Sequence, residues 1–264
     1  MISVDFARYS SVRIGPKINV EILKNTSFKE DVFMVGAANN LLISPSPKQA
    51  LAMLGDEFDY IKVIKEGALV ELEVGAKTSA SKLFRFAKDK DLGGLEFLQA
   101  LPGQIAGLLR MNAGLKQYEI SSVLSGILVA SKEEELAIWR DDFVAKYRRL
   151  ELDGIYFAAR IELRRGFCQE TQKSCEKLRS NQPKAASFGS IFKNPKDDFA
   201  GRLIEVVGLK GARRNDAMIS DKHANFLINK GKATYADAIF LIDEARNRVK
   251  KEFGIDLELE VILV

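Results

Sequence analysis

Residues 188–195 read Phe188-Gly189-Ser190-Ile191-Phe192-Lys193-Asn194-Pro195. Within five positions this block carries a hydroxyl, an ammonium and an amide. A glycine and a proline bracket them and restrict the backbone. N-terminal to the block, extended β-rich patterns dominate. Val32–Val35 is a short apolar strand that runs into the small-residue turn Gly36-Ala37-Ala38-Asn39-Asn40. Tyr60–Ile64 and Leu69–Val74 flank Glu66-Gly67 as a hairpin, with Val70, Leu72 and Val74 on one face. Ser122–Ala130, Glu135–Arg140 and Ile155–Leu163 read as further strands. Between them, Thr78–Lys90 places Leu83, Phe84 and Ala87 at helical spacing, and the apolar stretch Leu95–Gly114 is broken at Pro102-Gly103.

The last hundred residues are richer in helix. Glu170–Ser180 reads as a polar helix and Phe199–Val207 as an amphipathic one, with Leu203, Ile204 and Val207 in register. Thr234–Phe253 is the clearest helix. Thr234 with Asp237 three residues on is a capping-box variant, and Ile239, Ile242, Ala245, Val249 and Phe253 line one side before Gly254 stops it. Asn225–Asn229 reads as a strand. In Leu257–Leu263 the residues Leu257, Leu259, Val261 and Leu263 alternate with Glu258, Glu260 and Ile262, which predicts a final strand. No internal repeat is visible. Strands followed by helices in a chain of 264 residues predict an α+β protein of about three small domains.

Composition excludes several classes. A single histidine, His223, rules out multi-histidine metal sites, and no metal is expected. The two cysteines, Cys168 and Cys175, are seven residues apart on a predicted helix. That rise of about 10 Å exceeds the ~7 Å that a disulfide spans, which points to a reducing compartment. No apolar run approaches the ~18 residues of a membrane span. A soluble, cytoplasmic protein without membrane partners is expected. The net charge of +4 is spread along the chain, too weak a signal to predict nucleic-acid binding.

Taken alone, the 188–195 block reads equally as a structured turn or as a loop presenting Ser190 as a proton donor, with Lys193 and Asn194 on an anion or amide. No nearby base would make Ser190 a nucleophile. Glu260 and Arg148 by themselves read more readily as solvated surface charges. Two segments could cradle phosphates. Gly36–Asn40 follows a strand but is neither a dinucleotide fingerprint nor a Walker loop. Pro102-Gly103-Gln104-Ile105-Ala106-Gly107 offers backbone N–H groups for an anion nest. A lone histidine such as His223 is more often structural than catalytic.

In order along the chain, these segments together resemble the UDP-N-acetylenolpyruvoylglucosamine reductases. The resemblance runs through Ser11-Val12-Arg13-Ile14-Gly15, Val35-Gly36 to Asn40-Leu41-Leu42, Gly94-Leu95-Glu96-Phe97-Leu98, Leu101-Pro102-Gly103 and Met111-Asn112-Ala113-Gly114. It continues at Tyr147-Arg148, Gly189 to Pro195, Gly208-Leu209-Lys210-Gly211, Lys222 to Phe226 and Leu257 to Val261. It implies a non-covalent FAD in the fold of the vanillyl-alcohol-type oxidases, two α+β subdomains over residues 1–54 and 55–166, and a C-terminal α/β domain over 167–264 for the UDP-sugar. NADPH is the implied co-substrate and the enolpyruvyl UDP-sugar the implied partner, with a monomer expected.

The resemblance also implies roles. Ser190 gives a proton to the substrate carbon, Arg148 helps hold the enolpyruvyl carboxylate, and Glu260 completes the catalytic set. Gly36, Ala37, Ala38, Asn39, Asn40, Leu41, Pro102, Gly103, Ala106, Gly107 and Gly114 fall on flavin segments. Tyr147, Lys193, Asn194 and His223 fall on the substrate. Ala38 and Asn39 replace the family's usual glycine and serine, and Ala106 another glycine. Alanine permits the same close backbone approach where its φ is negative. Asn181, Asn215, Asp216 and Ile262 also depart from the common pattern and leave the uridine diphosphate contacts open. The short chain matches the branch without an extra tyrosine-bearing loop. The competing readings are another flavoenzyme of this fold and a flavin-binding scaffold without turnover.

Overall fold

The computed structural model describes residues 1–264, which gather into two compact units. One comprises Glu21–Gly36 and Ala50–Ser180; the other comprises Met1–Val20, Ala37–Gln49 and Asn181–Val264. These units do not follow the consecutive segments 1–54, 55–166 and 167–264. The physical reason is visible at the helix Gln169–Leu178, whose Cys175 is buried in the core of the first unit with Leu92, Leu95 and Phe97.

In the first unit an antiparallel sheet runs in the order Ile138–Arg140, Leu124–Ala130, Ile155–Arg165, Leu69–Gly75, Ile61–Lys65. The expected hairpin is its last pair. Val70, Leu72, Val74, Ile161 and Leu163 form one apolar face, covered by the helices Ala80–Asp89 and Ile105–Arg110 through Leu83, Ala87, Leu108 and Leu109. Ser79 caps the first helix by accepting from the Lys82 amide. Glu21–Leu23, Ala50–Leu54 and Val32–Met34 pair in parallel, and Leu23, Leu54, Phe58 and Phe157 share a second apolar cluster. Two predicted strands are shorter than their patterns. Ile120–Val123 is a 3-10 turn before Leu124–Ala130, and in the 135–140 run Leu136 makes an isolated bridge with Ser27 before Ile138–Arg140 joins the sheet.

In the second unit a four-stranded antiparallel sheet runs Ala186–Ser190, Phe226–Asn229, Ala217–Ile219, Arg213–Arg214. The helices Ala200–Val206 and Tyr235–Phe253 bury Leu203, Ile204, Leu241, Ile242, Ala245 and Val249 in its core. The capping box forms as predicted, and Gly254 ends the long helix in the left-handed region. The Thr234 amide and hydroxyl hold the Asp237 carboxyl below the usual carboxylate range.

The final strand predicted over Leu257–Leu263 does not form as one element. Leu259 makes an isolated bridge with Phe192, the chain bends at Glu260, and only Ile262–Leu263 pairs, in parallel with Leu41–Leu42. Both the Glu260 and Val261 amides donate to the Ile191 carbonyl, at 2.9 and 3.3 Å, and the next amide, Ile262, donates to Asn40 O. Two donors on one acceptor is bulge-like pairing. It turns the strand from one partner to another, which period-2 alternation cannot report. No helix is long and apolar enough to cross a membrane.

Candidate active site

The second unit brings Ser190, Lys193, Asn194, Glu260 and the turn Ala37–Leu41 together. Ser190 is the last residue of Ala186–Ser190 and pairs with Phe226 across a register shift. The shift is made at Gly189, at φ +90°, a conformation that L side chains rarely adopt. Asn225, almost fully buried, holds the segment beyond. Its Nδ2 donates to Phe192 O at 2.7 Å and its Oδ1 accepts the Phe192 amide at 3.0 Å. Ile191 O receives the two amides of the Glu260 bend, and Asn40 Nδ2 donates to Glu260 O at 2.8 Å. The Glu260 main chain is thus fixed between the Ser190 block and the Ala37–Leu41 turn.

Lys193 and Asn194 are partly committed elsewhere. The Lys193 ammonium pairs with Glu258, and the Lys193 amide donates to Glu258 O. Asn194 Oδ1 accepts the Ala200 amide at 3.1 Å, at the start of helix Ala200–Val206. His223 is half-buried. Burial pushes its pKa below the ordinary histidine value, and its Nδ1 accepts the Asn225 amide at 3.2 Å. It therefore presents a neutral Nε2–H rather than a cation to any ligand.

Ala38 does not meet the condition of negative φ. It lies at φ +49° and is buried. The strain is held by Ser11, whose amide donates to Ala38 O at 3.3 Å and whose hydroxyl reaches Asn39 O at 3.4 Å. Ala38→Gly is expected to be nearly neutral. Relief of about 1–2 kcal/mol of left-handed strain is offset by about 0.8 kcal/mol for a buried methyl and about 0.5–1 kcal/mol of added chain entropy. Ala38→Val, β-branched at positive φ, should cost about 2 kcal/mol or more. Thermal melts of both variants check this, and an undisturbed Val variant would refute the strained geometry.

The first unit carries Gly36, the segment Pro102–Gly107, Gly114, Tyr147 and Arg148. Gly36 lies against the Gln104 side chain, so the strand Val32–Met34 and the 102–107 segment converge there. Gly103 sits at φ +126°. The expected nest is narrower than the sequence implied. Ile105 and Ala106 donate their amides to Thr78 O and Ala76 O, both at 2.9 Å, which takes them from any anion. Ala106, inside helix Ile105–Arg110, meets the condition of negative φ. Gly114 pairs with Glu119 in a two-stranded ribbon, away from these amides in the chain.

Arg148 is the second residue of a two-residue turn, Tyr147-Arg148, joining Val144–Lys146 to Arg149–Glu151. It lies at φ +57°, with its guanidinium 5.0 Å from the Tyr147 ring centroid. Lys146 and Glu151 form an ion pair across the ribbon. The flavin test rests on these observations. Gly103, at a φ that L side chains rarely adopt, and Gly107, where no side chain or main-chain atom fills the space a Cβ would take, leave the main chain of this unit open to close approach, which fits a dinucleotide such as FAD.

Two of the replaced positions serve the fold. Asn215, at φ +49°, donates from Nδ2 to Asp237 at 2.7 Å, and Asp216 accepts the Lys232 amide at 2.7 Å. Three buried amides, Asn112, Asn225 and Asn229, carry no role in the sequence reading. Asn112 and Asn225 stand in motifs that carry the resemblance, and an amide beside apolar residues, as in Leu108-Leu109-Arg110-Met111-Asn112 and Ala224-Asn225-Phe226-Leu227-Ile228, is the signal that could have marked them as buried.

The family model for the C-terminal domain of UDP-N-acetylenolpyruvoylglucosamine reductase matches residues 182–264. The chain is 50% identical over 262 residues to the UDP-N-acetylenolpyruvoylglucosamine reductase of Campylobacter jejuni (strain RM1221), with 99% of each chain covered. It is 46% identical over 263 residues to the protein of that name from Helicobacter hepaticus, covering 98% of this chain and 97% of the relative. Among solved structures, UDP-N-acetylenolpyruvylglucosamine reductase from Thermus caldophilus superposes with a TM-score of 0.85 at 28% identity, covering 99% of this chain and 98% of that one.

Proposed function

Because the chain belongs to the UDP-N-acetylenolpyruvoylglucosamine reductase family, we propose that Ser190, Arg148 and Glu260 carry the substrate half of its reaction. The enzyme is an oxidoreductase of peptidoglycan synthesis that uses FAD and NADPH to reduce the enolpyruvyl UDP-sugar to UDP-N-acetylmuramate. Ala37–Leu41 and the Pro102–Gly107 segment, with Gly36 and Gly114, are the residues we assign to FAD. When bound, FAD supplies the hydride taken from NADPH.

An enolpyruvyl ether accepts hydride only when its double bond is polarised toward the carboxylate. Arg148, a permanent cation with a planar fork of donors, suits a carboxylate that gains charge. Glu260 adds an acid whose main chain is fixed at both its N–H and its C=O. Ser190 then gives its hydroxyl proton to the α-carbon of the enolate, breaking its O–H bond as the new C–H bond forms. Serine is a weak acid, but a dianionic enolate is basic enough to take its proton. Lys193, Asn194, Tyr147 and His223 are assigned to the UDP-sugar, with His223 as a neutral donor. The observation that carries this reading is the joint fixing of Ser190 and Glu260 through Ile191 O, next to the Ala37–Leu41 turn.

An anaerobic visible spectrum tests it. Flavin bands of the FAD-loaded protein should bleach with NADPH and return when the enolpyruvyl UDP-sugar is added. Bands that bleach and stay bleached would overturn the substrate assignment, and protein that takes up no FAD would overturn the flavin segments.

A further inference from the structure

In the two short strands beside the Tyr147-Arg148 turn, Val144, Ala145, Lys146 and Arg149 are exposed, and only Leu150 is buried in the core. The turn is also strained, with Arg148 in the left-handed region at a cost of order 1 kcal/mol. Such a ribbon would sample many positions unless something held its tip.

The Asn112 side chain bonds to the peptide at that tip. Asn112 has no exposed surface, and its side chain makes three hydrogen bonds. Its Nδ2 donates to Lys146 O at 3.1 Å and to Glu119 Oε2 at 2.9 Å, and its Oδ1 accepts the Ser121 amide at 3.3 Å. Lys146 O belongs to the peptide bond that opens the Tyr147-Arg148 turn. Fixing that peptide plane fixes where the turn begins. Asn112 is itself at φ +38°, a non-glycine residue held in a disfavoured conformation. An amide is needed here. It supplies two donors and one acceptor from one planar group, whereas aspartate would set two carboxylates against each other at Glu119.

We propose that Asn112 is a positioning residue for the reduction step, acting through Arg148 by tethering the 146–147 peptide. This rests on the assignment of Arg148 to the substrate carboxylate. A misplacement of order 1 Å at a reacting group costs about 10²-fold, so loss of this tether should be felt in catalysis out of proportion to its effect on stability.

The test uses Asn112→Gly, which tolerates positive φ and removes the tether together with the bonds to Glu119 and Ser121, with FAD-loaded protein throughout. Reoxidation of the reduced enzyme by the enolpyruvyl UDP-sugar should slow about 10- to 100-fold and KM for that substrate should rise. Reduction by NADPH should stay within about twofold. Hydrogen exchange over 144–151 should quicken. In an Arg148→Ala background the Asn112→Gly change should add no further loss in reoxidation. Unchanged exchange over 144–151, equal loss in both half-reactions, or a fully additive double variant would each overturn the proposal. If Arg148→Ala alone leaves reoxidation untouched while exchange in Asn112→Gly quickens, the tether stands and the role given to Arg148 falls.

Discussion

Ser190→Ala should leave reduction by NADPH intact and slow reoxidation by the enolpyruvyl UDP-sugar about 10²- to 10⁴-fold, the usual contribution of a positioned general acid. The substitution removes one oxygen and little else. Pairing of residue 190 with Phe226, the shift at Gly189 and the Asn225 clamp on Phe192 are main-chain or neighbouring contacts that alanine preserves. Folding stability should therefore change by no more than about 0.5 kcal/mol. Stopped-flow absorbance of the two half-reactions separates the outcomes. Equal slowing of both would remove the proton-donor role, because a group that acts only on the substrate carbon has no part in taking hydride from NADPH.

Glu260→Gln is the second large effect. It keeps side-chain volume and both main-chain contacts, the amide on Ile191 O and the carbonyl under Asn40 Nδ2. Only the acid is lost. Reoxidation should slow about 10²- to 10⁴-fold, with bound flavin and the NADPH step spared. The Asn40 contact makes the control informative. Because Glu260 O is bonded to a residue of the Ala37–Leu41 turn, a variant that sheds flavin would show that position 260 serves the cofactor turn. Flavin content read with the kinetics decides between the two.

The easily read parts of this protein are local. Thr234 and Asp237 are three residues apart, and the box they form needs only one turn of helix. The apolar stripes at 80–89, 200–206 and 235–253 follow the 3.6 period, and Leu69–Gly75 follows the period of two. The Gly189–Pro195 block, with the other motifs in order, was sufficient to bring the family into view and to single out Ser190, Arg148 and Glu260. What these residues touch was not legible. Glu258 takes the Lys193 ammonium from 65 positions away, and Asn40 reaches Glu260 O across 220.

By itself the sequence determined an α+β protein and the family to which its motifs point, because residue type, short spacing and periodicity are properties of the chain alone. Only the tertiary structure decided that residues 257–263 bend at Glu260 instead of running straight, that Ala38 is left-handed, that Asn215 and Asp216 are spent on the fold, and that Asn112 grips the Arg148 turn. Each of these depends on a hydrogen-bond partner or packing neighbour supplied from elsewhere in the chain. Such partners override local preference, since a buried polar group must be satisfied wherever the partner lies.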